Sequence, residues 1–331
     1  MAWSRVLNFD DPLAYQAAIQ GGQLEILPTA KGRFQVEMSQ TRLDRVWMQR
    51  FHVALPQIST AVTASDRKAI AFLVDEESPN LQHCGMEVTS DNIILCGHDV
   101  WHQRSASNFQ YGSMSVSASE FPHLHESIVG YEFRERRRTP IVRPDPNLMS
   151  EIRTLHKTIG QLVKNTPDIL DRPAVLQKLE DQLIRAMMQC FADVSDERAT
   201  RGGQQHEIVI ARFEQFLEVN VDRPLYLGEI CAAIGVSERV LRICCEEHLG
   251  MGPIRFLTLR RMHLAHRAML QADPSTSTVT RIATDFGFWE LGRFSGAYRA
   301  LFGELPSATL RRPAIPVAIQ LNRPSSLVAA T

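Results

Sequence analysis

One pattern occurs twice near the C-terminus of this 331-residue chain, and it constrains the fold more than any other feature. The first copy reads L-G-E-I-C-A-A-I-G-V-S-E-R-V-L-R and the second V-T-R-I-A-T-D-F-G-F-W-E-L-G-R-F. Ile230 matches Ile282 and Gly235 matches Gly287 at an offset of 52, while Gly250 matches Gly303 and Pro253 matches Pro306 at an offset of 53. Each copy reads as a short apolar helix stopped at a glycine and followed at once by a second helix, which is the pattern of a helix-turn-helix. Gly235 and Gly287 stand where the chain must pass through a left-handed backbone to leave one helix and start another, a conformation that costs glycine little. Ser237 follows where a side-chain oxygen can take up the free N–H groups that open the next helix. The second copy has Trp289-Glu290 there, with the Glu290 carboxylate suited to the positive end of a helix. A single such element is also an ordinary helical hairpin. Two in tandem point to sequence-specific DNA binding, with the second helix of each copy in a major groove.

Charge adds a condition. The net charge is −1, and residues 206–312 hold 13 Arg, no Lys and 12 Asp plus Glu, so affinity for a polyanion must come from where the arginines point rather than from bulk charge. Arg239, Arg242, Arg293 and Arg299 fall on the two second helices, where a guanidinium gives bidentate contacts to guanine or clamps phosphate. Arg239 and Arg293, early on their helices, are the expected base readers. Between the copies runs P-I-R-F-L-T-L-R-R-M-H-L-A-H-R-A-M-L, with Phe256, Leu257, Met262, Ala265 and Met269 near helical spacing. A rod of about 18 residues at about 1.5 Å each is about 27 Å long, slightly short of the ~34 Å between successive major grooves on one side of a duplex. Val209, Phe213, Phe216 and Leu217 give an earlier helix a core face.

On these residues, positions 206–312 resemble the DNA-binding module of the AraC/XylS transcription regulators. The matching stretches are I-C-A-A-I-G-V-S-E-R-V-L, R-R-M-H-L-A and the string G-F-x5-F-x3-Y-x3-F-G-x2-P that starts at Gly287. The family often has Ser-Tyr where this chain has Gly292-Arg293. The resemblance implies base-reading positions at Glu238, Arg239 and Arg242 in the first copy and at Leu291, Gly292, Arg293 and Gly296 in the second, with Arg299 on the same helix. It also implies an N-terminal cupin-like barrel that holds a small effector.

Residues 33–120 carry short alternating runs such as F-Q-V-E-M, A-I-A-F-L-V and N-I-I-L-C between turn residues, a many-stranded antiparallel pattern of a barrel or sandwich. The fold class is therefore read as α+β: a β-rich effector domain over 1–145, a helical pair over 146–192, a linker over 193–205, an all-α tandem helix-turn-helix domain over 206–312 and a loose tail over 313–331. Trp47, Phe51, His52, Phe72, His98, Trp101, His102 and Tyr111 are the candidates for an effector pocket in the barrel mouth. Leu148, Ile152, Leu155, Ile159 and Leu162 advance by fours and threes as a heptad seam, and Leu176, Leu179, Leu183, Met187 and Cys190 form a second stripe. These helices pack within the subunit or pair two copies, and the homodimer is the favoured expectation. The run R134-E-R-R-R138 is read as a solvated connection.

The first 20 residues carry Asp10 and Asp11 and lack the apolar run of a signal peptide, and nothing approaches a membrane span. The chain is expected in the cytoplasm with reduced cysteines. Cys244-Cys245 with His248 is not spaced as a zinc site, and small buried side chains are expected there. No metal or cofactor is expected. The expected partners are promoter DNA, a small-molecule effector, RNA polymerase and a second copy, and the expected function is an effector-controlled transcription regulator, an activator rather than an enzyme. The rival is an enzyme with an appended DNA reader. That is either a Cys alkyl acceptor, which needs a reactive exposed thiol such as Cys84 or Cys96, or a metal-cupin using His52, His83, His98 and His102.

Overall fold

A computed structural model of the chain describes residues 2–19, 22–63, 66–96, 100–133, 141–166, 168–169, 172–192, 201–220 and 225–312. The β-rich part begins β1 (Trp3–Phe9), α1 (Pro12–Ala18), β2 (Gly22–Pro28), β3 (Val36–Arg42), β4 (Trp47–Val53), β5 (Gln57–Thr63) and β6 (Arg67–Leu73). It continues with β7 (Leu81–His83), β8 (Met86–Val88), β9 (Ile93–Cys96), β10 (Val100–Ser105), β11 (Phe109–Ser117), α2 (Phe121–Val129) and β12 (Ile141–Val142). Helices follow: α3 (Pro146–Asn165), α4 (Pro173–Gln189), α5 (Arg201–Val219), α6 (Leu227–Ile234), α7 (Glu238–Leu249), α8 (Pro253–Gln271), α9 (Val279–Asp285), α10 (Leu291–Phe302) and α11 (Pro306–Leu310).

The strands form a seven-stranded sheet, β1-β3-β4-β11-β6-β9-β12, and a five-stranded sheet, β2-β5-β10-β7-β8. Among the described residues every strand pairing is antiparallel. Both sheets keep free edges among the described residues, so the expected barrel or sandwich is two open antiparallel sheets. Side-chain alternation gives each sheet two faces with different duties. In the seven-stranded sheet Met48, Ile70, Phe72, Ile93, Leu95 and Met114 lie on the outer face, buried against α3 and α4. The stripes on those helices are thus used within the chain: Ile152, Ile159, Leu183, Ile184 and Met187 join the same core, with Leu148 and Leu155 half-buried at its margin. The seam expected to pair two copies covers the apolar outer face of this sheet. Glu180 on α4 pins this layer to the turn between β3 and β4, where its Oε1 accepts the N–H groups of Arg45 at 2.7 Å and Val46 at 2.9 Å.

The chain divides into two compact units, one of residues 1–221 with 225–259 and one from residue 260 onward with 222–224. The first helix-turn-helix, α6 and α7 with α5 behind them, packs in the first unit on the outer face of the five-stranded sheet, where Leu27 and Ile58 join Val209, Ile210, Phe213 and Leu217. The second unit has its own core of Met262, Ala265, Met269, Ile282, Phe294 and Tyr298. The rod expected between the copies is the single helix α8. Helix α5 begins at Arg201, so residues 201–205, expected in the linker, are helical. Residues 193–200, the basic run 134–138 and the tail 313–331 lie outside the described residues. No described helix is long and apolar enough to cross a membrane.

Candidate nucleic-acid interface

The two turns are built alike, by local chemistry that the sequence dictates. Helix α6 ends at Gly235 with φ 72° and ψ 35°, and the Val236 N–H donates to the Cys231 carbonyl at 3.0 Å. After α9, Gly287 has φ 76° and the Phe288 N–H donates to the Ala283 carbonyl at 2.9 Å. Both are left-handed caps that use the last free carbonyls of a helix. Ser237 caps α7, its Oγ accepting the Val240 N–H at 3.3 Å. Glu290 makes no such cap on α10 and instead holds Arg293 at 2.9 Å. Gly250 and Gly303 close α7 and α10 in the same left-handed conformation, at φ 69° and 79°.

Helix starts at Glu238 and Leu291 set the register of the two readers 53 residues apart. Buried Leu241 and Cys245 then correspond to buried Phe294 and Tyr298, and the extra residue falls in the turn after Gly287. Arg293 therefore occupies the place of Val240, one step from that of Arg239, whose counterpart is Gly292. The arginines singled out as a pair are neighbours in register and not equivalents. Glu238, Arg239 and Arg242 are exposed on α7, and Gly292, Arg293, Gly296 and Arg299 are exposed on α10, while Leu291 is half-buried against the second core. Val240 and Ile243, which sequence reasoning passed over, are also exposed on α7, at 36% and 43%. Ile243 stands four residues after Arg239 and three after Val240, which puts these side chains on one helix face and was the available signal.

The string from Gly287 to Pro306 is explained by packing. Phe288, Phe294, Tyr298 and Phe302 form a chain of ring contacts with centroids 4.5–5.6 Å apart. The Tyr298 hydroxyl donates to Thr309 at 2.8 Å and lies 2.5 Å from His266 Nδ1.

A cavity of about 140 Å³ lies between the inner faces of the two sheets in the first unit, with Tyr15, Trp47, Phe51, Trp101, Phe109 and Tyr111 as its aromatic walls. Gln49, Gln57, Ser59 and Gln103 are polar points in the same lining, and the Arg67 guanidinium lies 4.3 Å from the Trp47 ring centroid. Of the eight pocket residues expected from sequence, Trp47, Phe51, Trp101 and Tyr111 line this space. Phe72 does not: it is on the opposite face, edge-on to His156 under α3. His52 is exposed on β4, and His102 points to the far side of its sheet, paired with Glu214 on α5 at 3.0 Å. His98 lies outside the described residues. For Phe72, His52 and His102, neighbours in a strand face opposite ways, and composition alone does not say which parity faces inward.

The described histidines of the metal-cupin alternative are likewise not brought together. His83, opposite Gln103 in the ladder, faces inward beside Trp101, while His102 faces outward. Among the described residues no group of three or more His, Cys, Asp or Glu is placed to hold a metal ion. Burial pushes the thiols of Cys96 and Cys190 up to about 12 and that of Cys244 up to about 11, and raises Cys231 and Cys245 as well. Cys244 and Cys245 are core side chains of the first helix-turn-helix.

Residues 230–312 match the family model of a helix-turn-helix domain. The probable thc operon regulatory protein of Rhodococcus erythropolis is 40% identical over 96 residues, 29% of this chain and 29% of that one. The XylDLEGF operon transcriptional activator 1 of Pseudomonas putida is 34% identical over 121 residues, 37% of this chain and 35% of its own. The chain thus spans about a third of the length of these relatives. Among solved structures, the AraC-like transcriptional activator CuxR aligns over 81% of this chain and 96% of its own at 13% identity, with a TM-score of 0.39. Residues 230–312 thus match a helix-turn-helix domain, and in this C-terminal region the chain is similar to these two operon regulators.

Proposed function

We propose that the protein is a sequence-specific DNA-binding transcription regulator, an activator, controlled by a small molecule taken up in the cavity of its β-rich part. The observation that carries this reading is the family match over 230–312 laid on two glycine-hinged helix pairs, each of which leaves the outer face of its second helix open. Glu238, Arg239 and Arg242 read one major groove and Leu291, Gly292, Arg293, Gly296 and Arg299 the next. Trp47, Phe51, Trp101 and Tyr111 hold the apolar body of the effector.

The similarity of the C-terminal region to an operon transcriptional activator of Pseudomonas putida supports activation, which implies contact with RNA polymerase in the cytoplasm. Pairing of two copies would need a surface other than the α3 stripe, which is buried within the chain. The protein acts by binding and not by catalysis. Five of its six thiols are buried and pushed away from the thiolate form that an alkyl acceptor needs, and His83, His102 and His52 face three different environments.

Selection of binding sequences from a random duplex pool by the full chain, followed by footprinting, tests the reading. Enrichment of one motif with two protected segments about one helical turn apart is expected. Failure to enrich any sequence at moderate salt, with retention that simply falls as salt rises, overturns it.

A further inference from the structure

Strands β5 and β10 stand between the cavity and the first DNA reader, and each touches both. On their inner side Gln57, Ser59, Ala61, Trp101 and Gln103 line the cavity. Gln57 Oε1 is buried there without a hydrogen-bond partner among the described residues, so a donor group on a bound molecule would remove a standing desolvation cost. On the other side of the same strands, Ile58 packs in the core of α5, α6 and α7. Thr60 Oγ1 donates to Glu214 Oε1 at 3.2 Å, and His102 Nδ1 lies 3.0 Å from the same oxygen in a site almost closed to water. Arg104 lies so close to Gly250, at the C-terminal end of α7, that any side chain there would collide with its guanidinium. That end of a helix carries the partial negative charge a guanidinium favours. His248, two residues earlier on α7, packs on Gly85 in the turn between β7 and β8.

We propose that β5 and β10 are the coupling element of the protein: a small molecule seated against Gln57, Ser59, Trp101 and Gln103 resets the seat of the first helix-turn-helix through Thr60, His102 and Arg104 on the opposite side of the same strands. A pleated strand cannot tilt its inward side chains without moving the outward ones, because successive residues share one backbone. The buried contacts at Glu214 make the outer seat sensitive to small displacements, since a charged hydrogen bond held away from water is lost steeply when its geometry fails. Occupancy of the cavity then shifts the population between two seats of α5 and α7, and with it the presentation of Arg239 and Arg242. Thr60, His102, Arg104 and Glu214 are in this view positioning residues for the reader. The proposal rests on the regulator reading above for its biological meaning, and its test needs neither DNA nor a known effector.

Hydrogen exchange in the full chain reads the coupling. Ala61→Leu serves as a stand-in for occupancy by filling the cavity from β5, and Trp101→Phe is a milder change from β10. Either variant is expected to change amide exchange in α5 and α7 by about tenfold while α3, on the other sheet, keeps its rates. Glu214→Gln should alter the same segments and remove the further effect of Ala61→Leu. Unchanged α5 and α7 in folded Trp101→Phe and Ala61→Leu proteins would overturn the coupling, and so would an equal rise in α3, which marks general loosening. Loss of sequence-specific DNA binding would be seen separately in the selection experiment.

Discussion

Arg293 already has a partner on its own helix, since Glu290 holds it at 2.9 Å on a side chain that is 84% exposed. Such surface pairs contribute only a few tenths of a kcal/mol, so a base or phosphate can replace Glu290 at little cost. Arg293→Ala is expected to weaken binding to the selected sequence by about 1–3 kcal/mol and to blur preference in one half of it. Gel titration against cognate and random duplexes decides the matter, because equal losses on both would reduce Arg293 to a phosphate contact. Gly296, one turn along α10, gives the complementary test. Glycine inside a helix costs about 1 kcal/mol relative to alanine, and a methyl group at this position would meet nothing within 4 Å. Gly296→Ala should therefore raise the melting temperature while lowering affinity for the selected site, as expected where a groove edge comes close to the helix. A stabilised variant with unaltered affinity would remove α10 from the groove. The left-handed glycines and the Ser237 cap were legible in the sequence because their causes are local. The register of the second reader was not, because one extra residue in G-F-W-E moves the helix start, and only burial of Phe294 and Tyr298 fixes the phase.

Elements repeat this lesson at a larger scale. The alternating runs between residues 33 and 120 announced strands, and the stripes over 148–190 announced helices, since each period is written in consecutive residues. Where the stripes would be buried was not written there. Met48, Ile70, Phe72 and Met114 are apolar on one face, Phe51, Phe109 and Tyr111 on the other, and a sheet with two apolar faces must be covered twice. Phe72 was therefore assigned to the wrong side, and the helices were offered to a second subunit when a face of their own chain needed them. Glu180 fixes how they attach. It is buried, and two backbone N–H groups of the turn between β3 and β4 depend on its carboxylate. Glu180→Ala leaves both donors unsatisfied and is expected to cost about 2–4 kcal/mol, read as a lower urea midpoint. Glu180→Gln keeps an acceptor in place and should cost less. Equal midpoints for the alanine variant and the parent would mean that water serves the turn as well as α4 does.

Across the whole molecule, four histidines link folding to pH, three of them buried and His266 partly so. Burial is the first cause in each case, and it holds His83, His156 and His248 down to about 4 and His266 down to about 3. An imidazole in the unfolded chain takes its proton near pH 6.5, so between that pH and about 4 the unfolded state binds more protons than the folded one, and stability must fall as the medium is acidified. The contribution is fully present above about pH 6.5 and is lost as pH drops through the folded values. Because the four sit on β7 beside Trp101, on α3, in α7 and against Tyr298 and Phe302 in the second unit, neither unit escapes the effect. Urea midpoints measured from pH 7.5 to 5 should decline steadily, and unfolding at pH 5.5 should take up about one proton per buried histidine when followed calorimetrically in buffers of different ionisation heat. A midpoint that stays level across that range would mean these rings reach water in the native state, and the packing assigned to His156 against Phe72 and to His248 against Gly85 would have to be withdrawn.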